Sequence, residues 1–258
     1  MRPAESQHWY YTDGSPIYTV VGSNGVERNT TLRDARKLSL VPSVTSIIRC
    51  AASPGLEHWK QEQVLLAALT LPRRPHETEK SWLARVWHDS REQASKAAER
   101  GTQIHAAVQG HFEGEQLQDE YAPYVQCAVE ELEAHFPGAR WVAEKAFAHP
   151  LGYGGKIDLH CDVAVVDIKT KEFAGDEVPG VYEEHAMQLA AYRRGLGLEH
   201  ARCGNLFVSV SNPGVAHLHL HDEDELRRGM EMFDALLSYW RARSKYDPSM
   251  GFQTRTAA

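Results

Sequence analysis

The sequence predicts an α/β (α+β mixed) domain: a central mixed β-sheet flanked by helices, with a helical elaboration on its N-terminal side. Three observations carry this. Hydrophobic spacing changes from helical to alternating near residue 141. The element order from residue 101 reads α, α, β, β, β, α, β, β, α, which a sheet covered by helices satisfies. The chain has 258 residues, 42% hydrophobic and 24% charged, enough to bury a substantial core of ordinary composition.

Residues 8–21 read as a β-hairpin around Asp13-Gly14-Ser15-Pro16, and Asn24-Gly25 marks a second turn. A helix is expected after Pro42, with Ser43 as N-cap, or Thr45 if it starts later. This helical stretch runs to about Leu71 and is broken by Pro72-Arg73-Arg74-Pro75. Residues 77–112 are helical in pattern, with Gly101 expected to interrupt them. A further helix over 120–135 ends at Pro137-Gly138. Strands follow from Trp141, over 155–160 and over 163–169. A helix over 181–196, strands over 206–210 and 215–220, and an amphipathic helix over 222–242 complete the chain. One domain over 1–258 is expected: a hairpin region (1–40), a helical elaboration (41–100), a core (101–245) and a tail (246–258).

Composition narrows the function classes. No apolar run reaches the roughly 20 residues that span a bilayer. The first residues lack a secretory pattern, so a cytoplasmic location is expected. Cys50, Cys127, Cys161 and Cys203 lie far apart with no CxxC pair, which argues against a zinc ribbon or a local iron–sulfur motif. A net charge of −7 argues against a surface that attracts nucleic acid everywhere, but not against a local basic groove. G-x-S-x-G, G-x-G-x-x-G and the phosphate loop of helicases are absent.

The informative stretch is Gly154-Gly155-Lys156-Ile157-Asp158, followed by Val165-Val166-Asp167-Ile168-Lys169. Alternation puts Asp167 and Lys169 on one face of their strand and Val166 and Ile168 on the other. A hairpin brings Asp158, flanked by Ile157 and Leu159 on the opposite face, close to Asp167. Converging carboxylates repel and raise each other's pKa; a divalent cation removes that cost. Hard oxygen donors favour Mg²⁺ or Mn²⁺ over Zn²⁺. Such a cation with a neighbouring lysine makes a site for phosphodiester hydrolysis. Lys169 alone among the lysines has an acid two residues before it. The alternative is two solvated acids and a lysine on a polar sheet face.

These motifs resemble the PD-(D/E)XK nucleases, and within them the RecB-like branch that includes phage-type and mitochondrial genome-maintenance-type exonucleases. Four further stretches carry the resemblance over about residues 40–210: Val41-Pro42-Ser43-Val44-Thr45-Ser46-Ile47 with Leu56 and Trp59, Gly101 to His105, Glu144, and Gln188-Leu189-Ala190-Ala191-Tyr192. The resemblance implies a restriction-endonuclease-like core and a nuclease acting on linear DNA. Asp158, Asp167 and Lys169 would be catalytic. Metal ligands would be His105, Asp158, Asp167, the Ile168 carbonyl and, directly or through water, Glu144. Gln188 and Tyr192, at i, i+4 on one helix face, would bind substrate. Several relatives hold an iron–sulfur cluster closed by C-terminal cysteines. This chain has none after Cys203, so no cluster is expected. An endonuclease of restriction or repair type, and an inactive nucleic-acid-binding protein on the same fold, are the competing readings. His217, His219 and His221 are read as a solvated strand face, because no acid or cysteine at tight spacing completes a metal set.

Overall fold

The computed structural model describes residues 8–52, 54–175 and 177–253; the start of the N-terminal segment (1–7) and the end of the expected tail (254–258) lie outside the described residues. β1 (Trp9–Tyr10) pairs with β2 (Pro16–Ile17), and β3 (Thr19–Val21) with β4 (Glu27–Asn29) across Asn24 and Gly25. α1 (Leu32–Leu38) follows, its first turn closed by Asp34, whose carboxylate accepts the Thr31 N–H at 2.9 Å. β5 (Val41–Pro42) pairs with β1. Ser43 then caps α2 (Val44–Ile48), its Oγ accepting the Ser46 N–H at 3.0 Å.

The expected helical run to Leu71 is two helices, since α3 (Pro54–Thr70) starts anew. Proline disfavours helix in the residue before it but suits a first helical turn. α4 (Glu79–Phe112) corrects the expectation at Gly101: it runs unbroken for 34 residues, with Gly101 buried in its interior. A Cβ on Gly101 would stand 2.5 Å from Thr170 Oγ1. This glycine therefore lets the helix approach the sheet and does not end it. A single 3₁₀ turn (Asp119–Tyr121) leads into α5 (Ala122–His135).

The remaining elements are β6 (Val142–His149), β7 (Tyr153–Cys161), β8 (Ala164–Lys171), α6 (Glu183–Leu196), β9 (Arg202–Ser209), β10 (Ala216–Leu220), α7 (Glu223–Ser244) and α8 (Met250–Gln253). The five strands order as β10-β9-β8-β7-β6. β8 and β9 are parallel, joined through α6, and the other pairs are antiparallel. The mixed sheet flanked by helices is the fold class the sequence predicts. One face buries Val165 and Cys203 with Met187, Leu189 and Ala190 of α6 and Phe233 and Leu237 of α7. The other buries Val166, Ile168, Leu206 and Val208 with Ile104 and Val108 of α4 and Val125 and Leu132 of α5. Each of the larger aliphatic or aromatic side chains contributes roughly 1.5–3 kcal/mol. Among the described residues, no helix is long and apolar enough to cross a membrane.

Candidate metal centre

The centre sits where two strands stop pairing. β7 and β8 pair from Cys161↔Ala164 to Leu159↔Val166 and no further. The next N–H on that edge of β8 belongs to Ile168, and the Asp158 carboxylate accepts it through Oδ2 at 2.8 Å. Continued pairing would have put a backbone carbonyl there. One strand outward, β6 and β7 keep a constant register on both sides of Glu144, which stands opposite Asp158 and is left out of the pairing. Glu144 has φ 56°, a left-handed conformation that is costly for a residue with a Cβ. The strand turns its face at this point. Ile157 enters the α6-side core, whereas Leu159 enters the α4/α5-side core. Simple alternation, which puts both on one face, fails here, and the Asp158 side chain lies in the split between the strands.

Both layers reach into that split. From α4, His105 Nε2 lies 3.5 Å from Asp158 Oδ1. From α6, Gln188 Nε2 donates to Asp167 Oδ1 at 2.7 Å and to the Tyr192 hydroxyl at 3.0 Å, while Gln188 Oε1 accepts from Lys169 Nζ at 3.2 Å. Lys169 Nζ stands 2.7 Å from Asp167 Oδ2. The result is an open pocket of about 350 Å³ lined by His105, Asp158, Asp167, Ile168, Lys169 and Gln188, with Gly101 and Thr170 at its edge.

Asp158, Asp167, Lys169, His105 and Gln188 thus stand together. The N–H and carbonyl of a strand residue leave on the same edge, so the Ile168 carbonyl faces the split as its N–H does. Glu144 is ion-paired with Lys156. Tyr192 is buried in the α6-side core, with its hydroxyl behind Gln188. Arg193 pairs with Glu223, Arg194 with Asp234, and Arg241 with Asp247.

Sequence reasoning missed Asn205. It is fully buried in β9, in register with Asp167, and its Nδ2 donates to Asp167 Oδ2 at 3.0 Å. The available signal was a polar residue beside the apolar run Leu206-Phe207-Val208. A strand begun at Leu206 leaves it out; the real one starts at Arg202. His221 also departs from the solvated-face reading, being 8% exposed.

Burial, only partly opposed by Lys169 and reinforced by Asp158, holds the Asp167 carboxyl above its ordinary range. Burial also works against ionised Asp158, but the imidazole of His105 beside it outweighs that, with help from Lys169, and lowers its pKa. His105 is raised in turn: burial opposes its charge and Asp158 more than compensates. Two carboxylates, an imidazole and a strand carbonyl around one opening match the donor set of a divalent cation such as Mg²⁺ or Mn²⁺. The residues fit that group.

No family model matches the chain, and no curated protein matches it. Among solved structures, it is similar to the Eubacterium rectale protein named "Putative exonuclease", at 11% identity and a TM-score of 0.39, over 53% of this chain and 64% of that one. The chain therefore spans less than two thirds of that protein's length. Nothing about the centre rests on that likeness.

Proposed function

We propose that this chain is a metal-dependent nuclease, a DNA exonuclease that hydrolyses phosphodiester bonds. The observation that carries the reading is the convergence of Asp158, Asp167, His105 and Lys169 on one open split between β7 and β8. Asp158, Asp167, His105 and the Ile168 carbonyl would hold Mg²⁺ or Mn²⁺, with Glu144 at the margin. When bound, such a cation polarises a phosphate oxygen and lowers the pKa of a water.

The protein's own groups do the rest. Asp167 is held by Gln188, Asn205 and Lys169, so its carboxylate keeps one orientation. Burial opposes the Lys169 charge, but Asp167 overcomes it and raises the lysine's pKa. An ammonium that stays charged at neutral pH is a poor base and a good partner for negative charge growing on phosphate oxygens. Gln188 fixes that ammonium beside Asp167, and Tyr192 supports Gln188 from the core. The preference for DNA ends rests on the resemblance of the 41–47 segment and the Gln188–Tyr192 helix.

The test is purified protein with Mg²⁺ on end-labelled linear DNA and on covalently closed circles, with and without chelator. Degradation of linear DNA only, abolished by chelator, is the expected result. Full activity in excess chelator refutes the metal centre; rapid nicking of circles moves the reading to an endonuclease.

A further inference from the structure

A second group of metal-binding side chains lies two strands from the split, outside the proposed nuclease centre. His219 on β10 is in register with Asn205 on β9. His221 follows at the end of β10, and Glu225 comes from the first turn of α7. The ligand atoms of His219, His221 and Glu225 all lie within 4.8 Å of one another. The expectation that no acid completes the histidine set overlooked that a helix starting at Glu223 folds Glu225 back over the strand end.

The hydrogen bonds fix which atoms point inward. Asp167 as a carboxylate only accepts, so the Asn205 amide must turn Nδ2 toward it and Oδ1 away. Asn205 Oδ1 contacts His221 Nε2 at 2.8 Å, so His221 carries its proton on Nε2. His221 Nδ1 then offers a lone pair, 3.3 Å from Glu225 Oε2. Both His221 Nδ1 and His219 Nε2 are buried without a hydrogen-bond partner. Buried polar nitrogens normally have one. Two imidazole nitrogens and a carboxylate converging this way repel unless a cation or a proton stands between them, and a cation can serve all three at once.

We propose that His219, His221 and Glu225 bind a divalent cation of the zinc class, and that this ion locks Asp167 in place through His221 and Asn205. Two histidines and one carboxylate form a three-ligand zinc set, with a fourth position left for water. Tetrahedral ligands about 2.0–2.2 Å from zinc lie roughly 3.4 Å apart, which the His221–Glu225 pair already matches at 3.3 Å. A metal-bound histidine usually donates its other N–H to an oxygen acceptor, as His221 does to Asn205. The site stands whether or not the split cleaves nucleic acid.

The experiment is calorimetric titration of chelator-stripped full-length protein with Zn²⁺ alone, repeated for Glu225→Gln, His219→Ala and Asp158→Asn. Glutamine keeps the acceptor that caps the Asp222 N–H, so Glu225→Gln should fold. The wild type should take up one zinc tightly. Glu225→Gln and His219→Ala should each bind at least about tenfold more weakly, while Asp158→Asn binds as wild type. Stripped protein given Co²⁺ should show the visible absorption of a tetrahedral site, absent in Glu225→Gln. No zinc uptake by the wild type overturns the proposal, as does unchanged binding in both site variants. Loss of binding in Asp158→Asn alone also overturns it, by moving the zinc to the split. Mg²⁺-dependent cleavage of linear DNA, measured separately, reports on the nuclease reading.

Discussion

Replacing Gly101 with alanine tests whether helix α4 holds His105 at a set distance from the sheet. The new Cβ would stand 2.5 Å from Thr170 Oγ1 and 3.4 Å from Thr170 Cβ. Thr170 cannot yield easily: it is β-branched, so two of its three χ1 wells keep a heavy atom aimed at the helix. Reaching an ordinary contact of 3.4 Å means separating α4 and β8 by about 0.9 Å. Two energies oppose each other. Glycine to alanine inside a helix gains about 1 kcal/mol, and overpacking costs about 1–3 kcal/mol. The net destabilisation is about 0–2 kcal/mol, a fall in Tm of only a few degrees for a chain of this size. The effect on rate should be larger. His105 lies one turn beyond Gly101 on the same helix face, and its Nε2 moves with the helix, away from Asp158 Oδ1. A misplacement near 1 Å costs about 10²-fold, so Gly101→Ala should cleave linear DNA about 10- to 100-fold more slowly while remaining folded. Thr170→Ala removes the obstructing Oγ1, and the double variant should recover most of the rate and gain stability. A wild-type rate in Gly101→Ala, or no rescue in the double variant, refutes close packing as the role of this glycine.

Lys169→Ala should lose about 10²–10³ in rate yet retain DNA binding in a filter or gel assay; wild-type turnover sinks the lysine's assignment. His105→Ala should lose most of its Mg²⁺-supported rate and recover part of it in Mn²⁺, since imidazole is the weaker partner for Mg²⁺; normal cleavage in Mg²⁺ makes His105 a packing residue. Burial, reinforced by Lys169 and its other cationic neighbours, lowers the pKa of His185 to about 3. The unfolded chain, with an ordinary histidine near about 6.5, then binds the extra proton first. His185 therefore leaves stability unaffected above about pH 6.5, and as pH falls toward 3 it destabilises the fold progressively, by at most about 5 kcal/mol. Chelator-treated His185→Gln, which keeps an acceptor for the Tyr182 N–H, should show a flatter acid limb in denaturant titrations between pH 6 and 4; an unchanged limb removes His185 from the account.

The order of elements from α5 to α7 was legible because each buries one face, and burial stamps its period on the sequence. What escaped depends on contacts between elements. Gly101 inside a helical pattern reads equally as a break or a close approach, and only the position of Thr170 on β8 decides. α1 spans just Leu32–Leu38; its support comes from Thr31–Asp34 capping and from the Tyr246 hydroxyl donating to the Ala35 and Leu40 carbonyls from the far end of the chain. Asp158, Asp167 and Lys169 stand out in the sequence because their residue types and spacing mark them, and the structure brings them together. How Asp158 is aimed was not legible, because alternation assumes a strand that keeps its face, and β7 turns at Asp158 opposite the left-handed Glu144. Asn205 was hidden for a different reason: the register of β8, β9 and β10 lines up Asp167, Asn205 and His219 across the sheet, and no stretch of sequence contains that row.

That row also explains why the two carboxylates differ. Asp167 Oδ1 accepts from Gln188, and Oδ2 receives Asn205 and Lys169 at 3.0 and 2.7 Å. Most of its lone-pair sites are taken, so it is rigid and has little capacity left. Asp158 spends Oδ2 on one backbone N–H and leaves Oδ1 facing His105 at 3.5 Å, a long contact. Capacity to bind therefore lies on the Asp158–His105 side and fixed orientation on the Asp167 side. A cation drawn to the first would be aligned by the second, and Lys169, tethered to Asp167 and Gln188, would stand beside it. If so, loosening Asp167 should harm alignment more than affinity, whereas removing Asp158 or His105 should harm affinity first. The split between β7 and β8 sets this division of labour, because it frees Asp158 from the sheet face while Asp167 stays inside it.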